Sequence, residues 1–158
     1  MKQSFITELG LNLDTKFLSD RYFYLALLAA PLALLVLTAV IADWSQHIAL
    51  NTALLFSFIV WQPLIEEVLF RGVIQGQLMN INGARLNYHG ISLANLMTSV
   101  LFMSIHLINH SVFWALSVIL PSLIFGYFRD RHRQIYPSLL LHSAYNACYL
   151  AMAVLLNQ

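Results

Sequence analysis

Charge is what this sequence has least of: 9% of its 158 residues are charged, against roughly a quarter in an ordinary soluble domain. Hydrophobic residues make up 59% and the mean hydropathy is +0.71, which excludes a water-exposed globular surface and marks a membrane protein. The net charge of +1 leaves no basic surplus for nucleic acid and no acidic tail for a cationic partner. A single cysteine, Cys148, excludes an intrachain disulfide and any zinc finger built on paired cysteines, and reads as a small packing residue. Three intramembrane hydrolase chemistries also lack their parts. There is no glycine-framed GxSxG serine, and Ser104 and Ser138 read as helix-packing residues. There is no HExxH, and Asp43 is the only aspartate between the N-terminal stretch and Asp130, so an aspartate pair cannot be built.

What is present is a series of long apolar runs. Residues 1–21 form a hydrophilic head with one amphipathic turn around Phe5, Ile6, Leu9, Leu11 and Leu13, expected to lie at the membrane surface. Tyr22 to Ala42 is an uncharged run of 21 residues, close to the ~20 that a helix needs to cross a bilayer, with Tyr22, Tyr24 and Trp44 placed as an aromatic belt. Four further stretches follow, Ile48 to Ile65, Ile91 to Ile108, Ser111 to Phe128 and Ile135 to Leu156. The first of these has no breaker until Asn80, Asn82 and Gly83, so its helix should run on through Glu66, Glu67 and Arg71 toward Met79. Pro31, Pro63 and Pro121 predict kinks, whereas Pro137 suits the first turn of the last helix. The pattern predicts an all-α, polytopic transmembrane bundle of about five spans. It forms a single domain over residues 1–158, with its polar motifs inside residues 48–156. Five spans put Lys2, Lys16, Arg21, Arg85, Arg129, Arg131 and Arg133 on one side and no Lys or Arg on the other, which predicts a cytoplasmic N-terminus. Arg129, Arg131 and Arg133 read as a topology anchor touching lipid headgroups, and His47, His89, His110 and His132 as solvated connection residues.

Against this background Glu66, Glu67 and Arg71 stand out, three charges within six residues of apolar sequence. At roughly 2.5–3.5 kcal/mol each they would cost about 8–10 kcal/mol unpaired, so they need partners or a task. Glu67 and Arg71, four apart with the acid first, form a helix ion pair. Glu66, about 100° round the helix, is left over. Other polar groups at membrane depth are His106, and His142 with Asn146 one turn apart on one face. A carboxylate, two imidazoles and a carboxamide from three helices are the parts for hydrolysis, a base for water and donors for an oxyanion. Gly72 and Gly76, spaced GxxxG, read as close helix packing.

Glu66-Glu67-Val68-Leu69-Phe70-Arg71 resembles the EExxxR motif of the CAAX protease and bacteriocin-processing (CPBP, or Abi) family of intramembrane proteases. Phe102 to His106 resembles its FxxxH motif, and the proline-led helix from Tyr136 carries its HxxxN at His142 and Asn146, all in the family's order over roughly residues 60–150. The chain is short beside the family, with one predicted helix ahead of this core. The resemblance implies that Glu66 activates water, that His106 orients that water or shares its proton, and that His142 and Asn146 stabilise the oxyanion. Glu67 and Arg71 support from behind, and Phe102 packs beneath His106. The family has been described both as metalloproteases and as metal-free glutamate proteases. A zinc site would use Glu66, Glu67, His106 and His142, but it leaves Asn146 without a role, so the metal-free form is favoured and no cofactor is expected.

The substrate implied is a membrane-anchored protein or peptide in the bilayer: a prenylated C-terminus, a bacteriocin leader or a C-terminal sorting helix. The small size favours a prokaryotic inner-membrane enzyme and the last two. The alternatives are a non-catalytic membrane protein of bacteriocin-immunity type and a small proton-coupled transporter using Glu66, which five spans scarcely accommodate. Oligomeric state is not readable. For upright helices the depths of Glu66, His106 and His142 disagree, which predicts that the third helix starts after residue 91 and that the cavity opens toward the cytoplasmic half.

Overall fold

The computed structural model describes residues 5–40 and 51–156; Asp43, Trp44 and His47 lie outside the described residues. A one-turn helix α1 (Phe5–Glu8) and a 3-10 turn (Thr15–Ser19) precede α2 (Arg21–Val40). Next come α3 (Thr52–Leu78), a two-residue hairpin of β1 (Asn87–Tyr88) and β2 (Ile91–Ser92), and α4 (Leu93–His106). The bundle ends with α5 (Val112–His132), interrupted at Val118, and α6 (Tyr136–Leu156). Every apolar stretch therefore carries a helix, and the chain is a helical polytopic membrane bundle. Among the described residues α3, α5 and α6 are long and apolar enough to cross a membrane. α4, with 14 residues, covers about 21 Å at 1.5 Å per residue, short of the ~30 Å of hydrocarbon.

Local chemistry sets these limits. His89 and Gly90 both take positive φ, the requirement of a tight two-residue hairpin turn, and the hairpin delivers Ser92 as the cap of α4, where its Oγ accepts from the Asn95 N–H. The third apolar helix thus starts after residue 91, as the depths of the polar residues require. Pro31 lies inside α2, Pro63 follows an irregular turn of α3, Pro121 follows the break at Val118, and Pro137 is the second residue of α6.

α4 packs against α5, and α6 against both α2 and α5. The tightest approach is at Gly126, where a Cβ would fall 1.8 Å from Asn95 Oδ1, so only glycine fits. Phe17, Phe23, Phe125, Phe128 and Leu141 form the buried cluster that joins the head to α2, α5 and α6.

The head, expected at the membrane surface, is docked into one end of the bundle. Ile135 N–H donates to Gly10 O, Gln134 and Asp14 exchange two hydrogen bonds, and Arg129 donates to Glu8 O at 2.8 Å. Gly72 and Gly76 do provide a close approach, but to the backbone carbonyls of Leu9 and Glu8 and not to another long helix. The hairpin end of α4 reaches the same end through Ser92 Oγ, which donates to Asp130 at 2.6 Å. The head and the connections before α4 and α6 therefore meet on one side of the bundle.

Candidate active site

α3 carries the charged clump and leaves regular α geometry on either side of the glutamates, with π-type turns at Ser57–Trp61 and at Val68–Gln75, the second of which holds Arg71. The first has a readable cause. Pro63 has no N–H, and the Gln62 N–H reaches back to Ser57 O, so the Phe58 carbonyl has no donor within the helix. Asn146 Nδ2 of α6 donates to that carbonyl at 2.8 Å. Asn146 was expected to address the same point as His142. Its amide is instead engaged two turns along α3 from the glutamates, on a backbone group that lipid would otherwise face.

Between the two irregular turns Glu66 and Glu67 diverge. Glu67 is fully buried: its Oε2 accepts from Arg71 Nε at 3.2 Å and its Oε1 faces His142 Nδ1 at 2.9 Å. Arg71, also fully buried, donates through Nη2 to Ser122 Oγ at 2.7 Å and lies over the Phe102 ring. Glu66 keeps about a third of its side chain exposed and sets Oε2 3.6 Å from His142 Nε2. The imidazole of His142 is thus held between two carboxylates, one at each nitrogen, and stacked on Phe125. The carboxylate that Arg71 does not reach thus sits beside a histidine.

His106 ends α4. Its Nδ1 contacts Phe102 O at 2.9 Å, and because a carbonyl only accepts, Nδ1 carries the proton and donates. Phe102, 3% exposed, packs against both imidazoles, with ring centroids 4.6 Å from His106 and 6.1 Å from His142. His106 is within electrostatic range of Glu66. Glu66, Glu67, Arg71, Phe102, His106 and His142 are therefore brought together, and Asn146 lies one turn beyond His142.

Some partners were not readable from spacing. Ser122, 51 residues from Arg71, and Phe125, the platform for His142, look like ordinary residues of an apolar helix. The basic triplet was misread in part. α5 runs past Phe128 to His132, so Arg129 turns inward, 8% exposed, and Arg131 pairs with Asp20. His132, expected in solvent, sits 3.0 Å from Asp20 and stacks on Phe128. His110 is exposed as expected, yet its ring stacks against His106. Ser104 and Ser138 bond helix carbonyls, the packing role expected of them.

Among the described residues no group of three or more His, Cys, Asp or Glu is placed to hold a metal ion.

A family model described as Type II CAAX prenyl endopeptidase Rce1-like matches residues 47–148, about two thirds of the chain, and includes every residue of the constellation. No curated protein and no solved structure matches. With the family's span laid over a helical membrane bundle that gathers two glutamates, an arginine and two histidines, the chain belongs to the Rce1-like type II CAAX prenyl endopeptidase family.

Proposed function

We propose that the protein is an intramembrane endopeptidase that cleaves a peptide bond near the C-terminal or leader segment of a membrane-anchored protein, with Glu66 as general base and no metal. The observation that carries this reading is the His142 imidazole held between Glu66 and Glu67. Glu66, the more exposed carboxylate, takes a proton from water as the water oxygen attacks the scissile carbonyl carbon. His106 Nε2, an acceptor, orients that water. The new oxyanion is met by His142 Nε2–H, the ring being held in place through Nδ1 by the buried Glu67, and by the second amide hydrogen of Asn146. Glu66 then passes its proton to the leaving amine as the C–N bond breaks, and the products are a carboxylate and an amine.

The test uses the full chain in liposomes with a quenched fluorogenic peptide carrying a prenylated CAAX end, and a second peptide carrying a leader sequence on a lipid anchor. Glu66→Gln should retain binding and lose about 10²–10⁴-fold or more in turnover. Cleavage by Glu66→Gln at the wild-type rate would sink the glutamate mechanism. Turnover abolished by strong chelators and restored by zinc would sink the metal-free form.

A further inference from the structure

We infer that the cavity where α1 meets the ends of α3 and α5 binds a phosphate group carrying one net negative charge, the chemistry of an anionic phospholipid headgroup or of free phosphate. The cavity has a volume of about 300 Å³ and its charged lining is Arg85, Arg129, Arg133, Glu8 and Asp130. Three cations against two acids leave one positive charge in surplus. Neither acid pairs directly with an arginine, and Asp130 acts on Arg129 only through space. Asp130 accepts from Gln75 Nε2 at 2.7 Å and Ser92 Oγ at 2.6 Å, and Glu8 meets Arg129 through its backbone carbonyl.

Arg129 is the centre of the case. It is 92% buried by its 8% exposure, yet its bonds run to neutral carbonyls, Nε to Arg71 O at 3.0 Å and Nη2 to Glu8 O at 2.8 Å. Among the described residues it makes no ion pair. Asp130 acts on this buried guanidinium only through space, so it lacks a direct counter-ion, and an anion in the cavity beside it supplies one with strong charge-assisted hydrogen bonds. Arg85 and Arg133 stand exposed at the rim; Arg85 is held through Nε to Met79 O, and Arg133 has no hydrogen bond or ion pair among the described residues. The cavity lies at the ends of two helices long enough to cross a bilayer, the level at which lipid phosphates lie. It is separate from the glutamate site: Gln75, on its wall, is nine residues beyond Glu66 on α3. A surplus of one charge suits a headgroup such as phosphoglycerol, whereas a choline headgroup would bring its own cation.

The full chain in a neutral maltoside is offered dioleoyl phosphatidylglycerol, dioleoyl phosphatidylcholine or inorganic phosphate, with one-to-one adducts read by native mass spectrometry and Tm alongside. Arg85→Gln and Arg133→Gln alter exposed side chains, so folding should be kept. Each should weaken the phosphatidylglycerol adduct about ten-fold or more, and Arg133→Lys should keep most of it. Phosphatidylcholine should bind at least about ten-fold less. Inorganic phosphate that displaces the lipid and raises the Tm of wild type alone would identify soluble phosphate as an occupant of the same site; lipid retention in excess phosphate would identify the headgroup. No discrete adduct with either probe, equal adducts in wild type and the Gln variants, or equal retention of the two lipids would overturn the inference.

Discussion

Glu66 and Glu67 are chemically identical neighbours with different surroundings, and the 100° step of a helix is enough to separate them. Arg71, four residues on, can reach only one, and it reaches Glu67. That much was legible in the sequence. The third arm of the arrangement, Ser122 on Arg71, was not, because a hydroxyl 51 residues away in an apolar helix has no local signature. Stability and turnover should therefore divide between the two positions. Glu67→Gln leaves a buried arginine without its carboxylate and should cost about 3–5 kcal/mol in reversible unfolding, while Glu66→Gln, at a partly exposed site, should cost under about 1 kcal/mol. Chemical denaturation in mixed micelles reads both. Equal costs would mean that Glu67 and Arg71 do not hold the helices together.

At the scale of the element, α3 shows why a proline inside a membrane helix is tolerable here and what tolerating it requires. Pro63 and the redirected Gln62 N–H orphan the Phe58 carbonyl, and α6 supplies the missing donor through Asn146. The sequence showed the kink position and showed that His142 and Asn146 share a face. It did not show that the two would meet α3 at different levels, because a π-turn changes the register of everything before it. Asn146→Ala should cost about 1–3 kcal/mol by leaving that carbonyl unpaired. In a Pro63→Ala background, where residue 63 regains an N–H, the same change should cost less, with a coupling of about 0.5–2 kcal/mol. Simple additivity would show that Asn146 does not stabilise this turn. Turnover separates the second role: if Asn146 also donates to the oxyanion, the double variant regains stability and stays slow.

For the whole molecule, the apolar runs and the one-sided Lys and Arg distribution were sufficient to lay out five helices, while the docking of the head was hidden. Phe17 is buried, but it sits in a polar stretch, and its ring partner His132 lies more than a hundred residues away, as do Ile135 and Gln134, which bond Gly10 and Asp14. The docked head and the connections before α4 and α6 meet at one end, which is the arrangement that five crossings produce. α4 is the weak member of that count, since its 14 residues reach about 21 Å. Its far end, the turn at residues 107–111, must still reach the opposite surface if the chain crosses five times. Single cysteines in a Cys148→Ser background decide this with a membrane-impermeant maleimide on intact cells. Asn109→Cys, exposed in that turn, should react from outside, and His89→Cys, exposed in the hairpin, only after the membrane is opened. Reaction of both from the same side, or of Asn109→Cys from neither, would make α4 a re-entrant helix. His106, at its end, would then approach Glu66 from within the bilayer, with no aqueous surface beyond it.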